Sequence, residues 1–171
     1  YFSLISRSKG IEVVLGASRL MPAVRFDIYG ELDDEYADTF GLEIENLANV
    51  RYKGVFRGND HDKYELLNGY DVMLLPTRHY AEGVPGIIVE SRIAGIIPVV
   101  SRWNYNAELI KNGEDGLLLD ENTSEELAEK LNGLWKDYRL YLPMRLRQRR
   151  EAEKYYIDNY VQAISEIMRN A

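Results

Sequence analysis

Glu82-Gly83-Val84-Pro85-Gly86-Ile87-Ile88-Val89-Glu90 decides how this chain is read. Two carboxylates bracket a Pro/Gly turn, and the apolar run Asp71-Val72-Met73-Leu74-Leu75-Pro76 comes shortly before it. Such a run suits a parallel strand buried on both faces. Strand, turn, then a helix opening near Pro85 is an arrangement that aims unpaired backbone N–H groups at an anion. Gly83 and Gly86 carry no Cβ, so the backbone from Gly83 through Val84 to Ile87 can approach a ligand closely. Pro85 suits a first helical turn, where its missing N–H has no intrahelical partner to lose. Glu90, about a turn into the helix, can accept two hydrogen bonds from vicinal hydroxyls, while Glu82 precedes the helix and can face a sugar. The expectation is a phosphorylated sugar. The pattern equally suits two carboxylates complementing the helix dipole at ~0.3–1 kcal/mol each, and taken locally it does not separate the two.

Outward from this stretch, strands and helices alternate. Phe2-Ser3-Leu4-Ile5 reads as a first strand, and Lys9-Gly10 leads into a helix over Ile11, Val14, Leu15 and Leu20. Arg25 to Gly30 reads as a strand, Glu31 to Asn46 as a helix that Gly41 could interrupt, Asn49 to Gly54 as a third strand, and Asp60 to Asn68 as a helix capped by Asn59 or Asp60. After the Glu-flanked helix come a fifth strand, Ile96 to Ser101, with Pro98 tolerable only near its start, and a short helix from Asn106 to Lys111. Gly116 to Asp120 is a sixth strand, and Thr123 or Ser124 caps a helix through Trp135, with Glu126 three residues after Thr123, where a capping box would need it. A last amphipathic helix is expected over roughly Glu151 to Met168. The alternation implies an α/β fold, a doubly wound parallel sheet of about six strands. Ligands of such sheets bind beyond the carboxyl ends of the strands, so Lys9, Gly30, Gly54, Thr77, Glu82 and Glu90 should crowd one rim.

Composition narrows the partners. With 171 residues, 46% hydrophobic and 29% charged, the chain suits one well-buried domain. It has no cysteine, which rules out disulfides and thiolate zinc sites, and no apolar run reaches the ~18 residues of a membrane span. A net charge of −7 argues against nucleic acid. Arg145, Arg147, Arg149 and Arg150 fit a solvated helix face better than an anionic membrane surface, given Glu151 and Glu153 beside them. Asp33-Asp34 reads as part of an acidic first helical turn rather than half a metal motif. Asp60-His61-Asp62 reads as a cap followed by an exposed His. His79 leads straight into Glu82 and stands open between a ligand contact and an exposed loop residue. Tyr155, Tyr156 and Tyr160 are expected to anchor the last helix.

Taken together, these residues resemble the carboxyl-terminal, nucleotide-sugar-binding half of retaining glycosyltransferases of the GT-B architecture, family 4. The resemblance rests on Lys9-Gly10, Ile28-Tyr29-Gly30, Tyr52-Lys53-Gly54, Asp71 to Pro76, Glu82 with Glu90, Ala94-Gly95, Pro98-Val99, Glu108-Leu109-Ile110 and Gly113 with Gly116. It implies a Rossmann-like donor domain. Lys9, with Gly10 beside it, would meet the donor diphosphate and Glu82 the transferred sugar, as the catalytic residue. Gly83, Val84, Pro85, Gly86 and Ile87 would hold sugar and phosphate, Glu90 the ribose, and Gly54 and Val55 the base. The resemblance implies no metal and no cofactor beyond the nucleotide-sugar substrate. Where the family usually has an Arg five residues before its Lys, this chain has Leu4, and Arg7 is the candidate replacement.

An amino-terminal acceptor domain has no counterpart in the chain, so a fragment that binds donor but transfers nothing alone is expected. Trp103 and Asn104 ahead of Ala107-Glu108-Leu109 resemble surface-polysaccharide members of the family. That resemblance implies a part in surface polysaccharide synthesis, and the expected location is the cytoplasm, with peripheral membrane contact by the full-length enzyme. The competing expectations are a non-catalytic sugar-nucleotide-binding module and a sugar-nucleotide epimerase. A phosphorylase would need a lysine placed for pyridoxal phosphate, and none is evident.

Overall fold

The computed structural model describes residues 1–156 and 160–169. Its elements run α1 (Ile11–Leu20), β1 (Phe26–Ile28), α2 (Ala37–Ile44), β2 (Val50–Tyr52), α3 (Asp60–Asn68), β3 (Val72–Leu75) and α4 (Gly86–Ala94). There follow β4 (Ile97–Ser101), α5 (Asn106–Leu109), β5 (Leu117–Leu119), α6 (Ser124–Lys136), α7 (Tyr138–Ala152) and α8 (Val161–Arg169), with a 3-10 turn at Glu153–Tyr155. Every strand pairing is parallel: β1 with β2, and β3-β4-β5 in that order. The expected first strand, Phe2 to Ile5, forms only isolated parallel bridges, Phe2 to Tyr29 and Ile5 to Leu32. It lies beside β1 through Ser3 N–H to Tyr29 C=O at 3.1 Å and Ile5 N–H to Glu31 C=O at 2.8 Å. The described residues thus hold five strands in two sheets rather than six in one.

Side-chain alternation explains the double winding. Leu74, Val99 and Leu119 point into one core with Val14, Leu15, Leu127 and Leu131 of α1 and α6. Their neighbours Met73, Leu75, Val100 and Leu118 point into the other, with Leu67 of α3 and Ile87 and Ile88 of α4. Successive residues of a strand face opposite ways, so a strand apolar at every position must be covered on both sides. β4, buried along its whole length, is the central case. Pro98 is tolerated there because it pairs with Met73 of β3 before the β4–β5 ladder begins at Val99 and Leu117.

Two helices differ from expectation. α2 starts at Ala37, because residues 33–36 close a turn in which Asp33 accepts the N–H of Glu35 at 3.1 Å and the Asp33 carbonyl accepts that of Tyr36 at 2.8 Å. Asp33 and Asp34 therefore lie in a turn, not a first helical turn, and Gly41 sits inside α2 without breaking it. The chain after Lys136 forms α7, with Pro143 inside it, past the first turn, where the ring removes the N–H that would otherwise bond the Arg139 carbonyl. The expected single helix from Glu151 onward is interrupted where Tyr156 turns extended at ψ 127, and residues 157–159 of that expectation lie outside the described ones. Arg145 meets Asp71 at 3.6 Å and the Asn68 carbonyl at 3.0 Å, and Arg147 meets Glu114 at 2.9 Å. These arginines fasten α7 to the body of the fold. Tyr155 accepts a hydrogen bond from buried Arg92 at 2.8 Å, so it ties the end of α7 to α4.

Candidate functional site

The rim begins at Gly10. Its φ of 80° starts α1, and a Cβ there would stand 2.0 Å from the Pro76 carbonyl oxygen, so only glycine lets α1 abut the end of β3. Beside it Arg78 N–H donates to the Ser8 carbonyl at 2.8 Å. The junction brings Lys9 to Glu82: Lys9 Nζ lies 2.6 Å from Glu82 Oε2, and Thr77 Oγ1 donates to the same oxygen at 3.0 Å. Both charged side chains are mostly buried, at 16% and 12% exposure. Residues far apart in sequence thus meet at the carboxyl end of β3.

α4 opens just beyond. Pro85, with φ −66° and ψ 119°, is its extended N-cap and Gly86 its first helical residue, so the proline stands one position before the expected one. No side chain caps this helix. Cβ atoms added at Gly83 or Gly86 would meet nothing within 4 Å, and neither residue has a positive φ. Their small size therefore serves open space on the rim rather than packing or backbone geometry. Val84 is exposed and Ile87 buried. One turn on, Glu90 Oε1 accepts a hydrogen bond from Lys63 Nζ of α3 at 2.8 Å. Its side chain is 24% exposed, within the protein edge rather than out in solvent.

On the other flank, Gly54 has φ 72° and nothing near its missing side chain, its carbonyl accepts Gly30 N–H at 3.0 Å, and Val55 is exposed. Arg7 is engaged elsewhere. Its guanidinium meets Glu12 at 3.1 Å and lies over the Tyr36 ring, while Leu4 is partly exposed. The structure thus brings together Lys9, Glu82 and Thr77, with α4 opening four residues after Glu82, and turns Arg7 toward α1 and Tyr36.

What local reading missed is how the loop between β3 and α4 is held. Ser101 donates to the Thr77 carbonyl at 2.5 Å, Trp103 Nε1 to that of His79 at 2.8 Å, and Asn104 Nδ2 to that of Glu82 at 2.9 Å. Asn122 Nδ2 adds a bond to the Pro76 carbonyl at 3.0 Å. Asn104 and Asn122 both have positive φ, 46° and 55°, which asparagine tolerates better than most residues. That tolerance is the signal sequence carried for them. Tyr80, Glu82, Gly83, Asn104, Tyr105 and Glu108 line an open pocket of about 510 Å³ beside this loop. A second cavity, about 480 Å³, lies at the opposite ends of the strands, between Met21, Val72, Leu134 and Trp135, away from the carboxylates. The Asp60-His61-Asp62 segment is a helix start: Asn59 and Asp62 form a reciprocal capping box, and His61 faces Glu65. Among the described residues no group of three or more His, Asp or Glu side chains is placed to hold a metal ion.

The profile of the family "Glycosyl transferases group 1" matches residues 1–155. The chain belongs to that family. It is 29% identical over 114 residues to the UDP-Gal:alpha-D-GlcNAc-diphosphoundecaprenol alpha-1,3-galactosyltransferase of Escherichia coli, a match covering 67% of this chain and 28% of that protein. In fold this group 1 chain is similar to Anabaena Alr3699/HepE, solved in complex with UDP, at TM-score 0.83 and 21% identity, covering 99% of this chain and 49% of that one. It is similar also to the C-terminal domain of the group 1 protein LpcC from Francisella tularensis, at TM-score 0.73 and 17% identity, over 86% of this chain and 79% of that one. The group 1 chain therefore spans less than a third of the length of the galactosyltransferase and about half that of HepE. Its α/β architecture of parallel strands and covering helices is that of GT-B glycosyltransferases.

Proposed function

We propose that the chain is the donor-binding domain of a retaining family 4 glycosyltransferase, which moves a sugar from a nucleoside diphosphate to a glycan or lipid-linked acceptor. The observation that carries the reading is the meeting of Lys9, Thr77 and Glu82 beside the uncapped start of α4. A cation and a helix N-terminus at one spot suit a diphosphate, and a carboxylate there suits sugar hydroxyls. Lys9, with Gly10 at its back, and the backbone from Gly83 through Val84, Pro85, Gly86 and Ile87 hold the diphosphate and sugar. Glu90 accepts the ribose hydroxyls, and Gly54 and Val55 lie beside the base. In transfer the anomeric carbon exchanges its bond to the diphosphate for one to an acceptor hydroxyl oxygen. The electron pair leaves with the diphosphate and the hydroxyl proton is released. Glu82 is the catalytic residue, next to the reacting sugar, and Lys9 with the α4 amides stabilises the departing charge. No metal or cofactor has a part in this assignment.

The acceptor, an acceptor-binding domain as partner, a place in surface polysaccharide synthesis and a site of action at the cytoplasmic face of a membrane belong to the same proposal. The named activity and acceptor of the Escherichia coli relative support it, as do the UDP complexes of the Anabaena protein. Calorimetric titration with UDP, GDP and UDP-glucose tests the donor site. Glu90→Ala is expected to cost about tenfold or more in affinity, the size of a lost charge-assisted contact. No heat with any nucleotide would sink the assignment. One observation favours a second reading, a non-catalytic nucleotide-sugar module: Arg7, the candidate for a second cation beside Lys9, is engaged with Glu12 instead. Donor binding without transfer in the full-length protein would select it.

A further inference from the structure

Lys63 stands behind Glu90. Its ammonium donates to Glu90 Oε1 at 2.8 Å and lies 3.0 Å from Asp60 Oδ1, while Glu90 Oε2 takes no hydrogen bond among the described residues. Lys63 is 18% exposed, and its helix is fixed at both ends: the Asn59–Asp62 capping box starts α3, and Leu67 is buried in the core shared with α4. A glutamate has three rotatable side-chain bonds, so an unheld carboxylate near the rim would sample many orientations. Held through one oxygen by a lysine on a fixed helix, it presents the other in one direction. The bond also matters to charge. A carboxylate near an incoming diphosphate repels it, and a lysine at hydrogen-bond distance offsets that repulsion, as Lys9 does for Glu82. The hydrogen bond to Glu90 raises the Lys63 pKa, so the ammonium is charged throughout the neutral range.

Resting on the donor-site reading above, we propose that Lys63 is a positioning residue that aims Glu90 Oε2 at the ribose hydroxyls of a nucleoside diphosphate and so sets the preference for ribose over its deoxy forms. Lys63 touches no substrate atom in this assignment; it acts through Glu90. The test compares UDP with 2′,3′-dideoxy-UDP, and GDP with its dideoxy form, by calorimetry on the 171-residue chain. Wild type should favour the ribose form, and Lys63→Met should lower affinity for it ~10-fold while moving the dideoxy form by no more than ~3-fold. Lys63→Arg, which keeps the charge, should restore most of the preference, and Glu90→Gln added to Lys63→Met should take away little more. Should the methionine variant not fold, Lys63→Gln gives the same comparison. Equal loss for ribose and dideoxy forms, or an undiminished preference, overturns the role of Lys63 while leaving the donor site standing. Failure of the wild type to bind either nucleotide overturns both.

Discussion

At the scale of single residues, glycines that look alike in sequence do different work. Gly10 has a left-handed backbone and faces the Pro76 carbonyl at a distance no Cβ could occupy, whereas Gly83 faces empty space. Gly10→Ala is therefore expected to destabilise the fold by about 1–3 kcal/mol, from backbone strain together with the forced separation of α1 from β3. Gly83→Ala should stay within about 0.5 kcal/mol of wild type, as surface changes do. Urea unfolding of both variants checks the pair. Sequence placed their neighbours Lys9 and Glu82 on the rim but could not say which glycine was structural, because the partner of Gly10, Pro76, lies far along the chain just past β3.

At the scale of elements, a buried charge ties α4 to α5, to the loop before β5 and to the turn that follows α7. Arg92 of α4, 3% exposed, meets Asp115 at 3.6 Å, the Tyr155 hydroxyl at 2.8 Å and the Leu109 carbonyl. Burial pushes the Asp115 carboxyl above its ordinary value, while the Lys111 N–H and Arg92 pull it back. Arg92→Met would leave that carboxylate buried without its cation and is expected to cost about 3–5 kcal/mol, read as a lower urea midpoint with unchanged slope. α7 was the element least legible beforehand. Its arginines suggest a solvated face, and its proline and weak apolar periodicity hide a helix whose support comes from partners at Asp71 and Glu114. By contrast α6 was plain, since Thr123 accepts the Glu126 N–H at 3.2 Å ahead of a regular apolar stripe, Leu127, Leu131 and Leu134.

At the scale of the molecule, three tyrosine hydroxyls bonded to carboxylates, two of them across distant parts of the chain, predict how the fold fails in base. Tyr36 donates to Glu43 at 2.8 Å, Tyr70 to Asp27 at 2.9 Å, and Tyr141 to Asp71 at 2.8 Å. Burial raises the pKa of each, and these hydrogen bonds, with that between Tyr70 and Tyr29, raise it further. A folded pKa above the unfolded one means that the native state keeps a proton the unfolded chain gives up. The stabilisation is complete below the ordinary tyrosine value of 10.0 and is lost as pH rises past it toward the folded value. The melting temperature should accordingly fall as pH rises above that value, and Tyr70→Phe should make the fall shallower. A fall of the same steepness in the variant would refute this account.

Sequence by itself determined the alternation of apolar strands with amphipathic helices, and hence the parallel, doubly wound architecture. Burial on both faces writes itself locally, residue by residue, in β3 and β4. It also marked Lys9, Glu82 and Glu90, a cation after the first apolar run and two carboxylates that bracket the opening of a helix. Only the tertiary structure decided that Lys9 meets Glu82, that Lys63 stands behind Glu90, that Arg7 turns to Glu12, and that Phe2 to Ile5 makes only isolated bridges to the segment just after β1. Those outcomes depend on distances between residues remote along the chain. Such distances are set by how helices seat on the sheet, which no local pattern encodes.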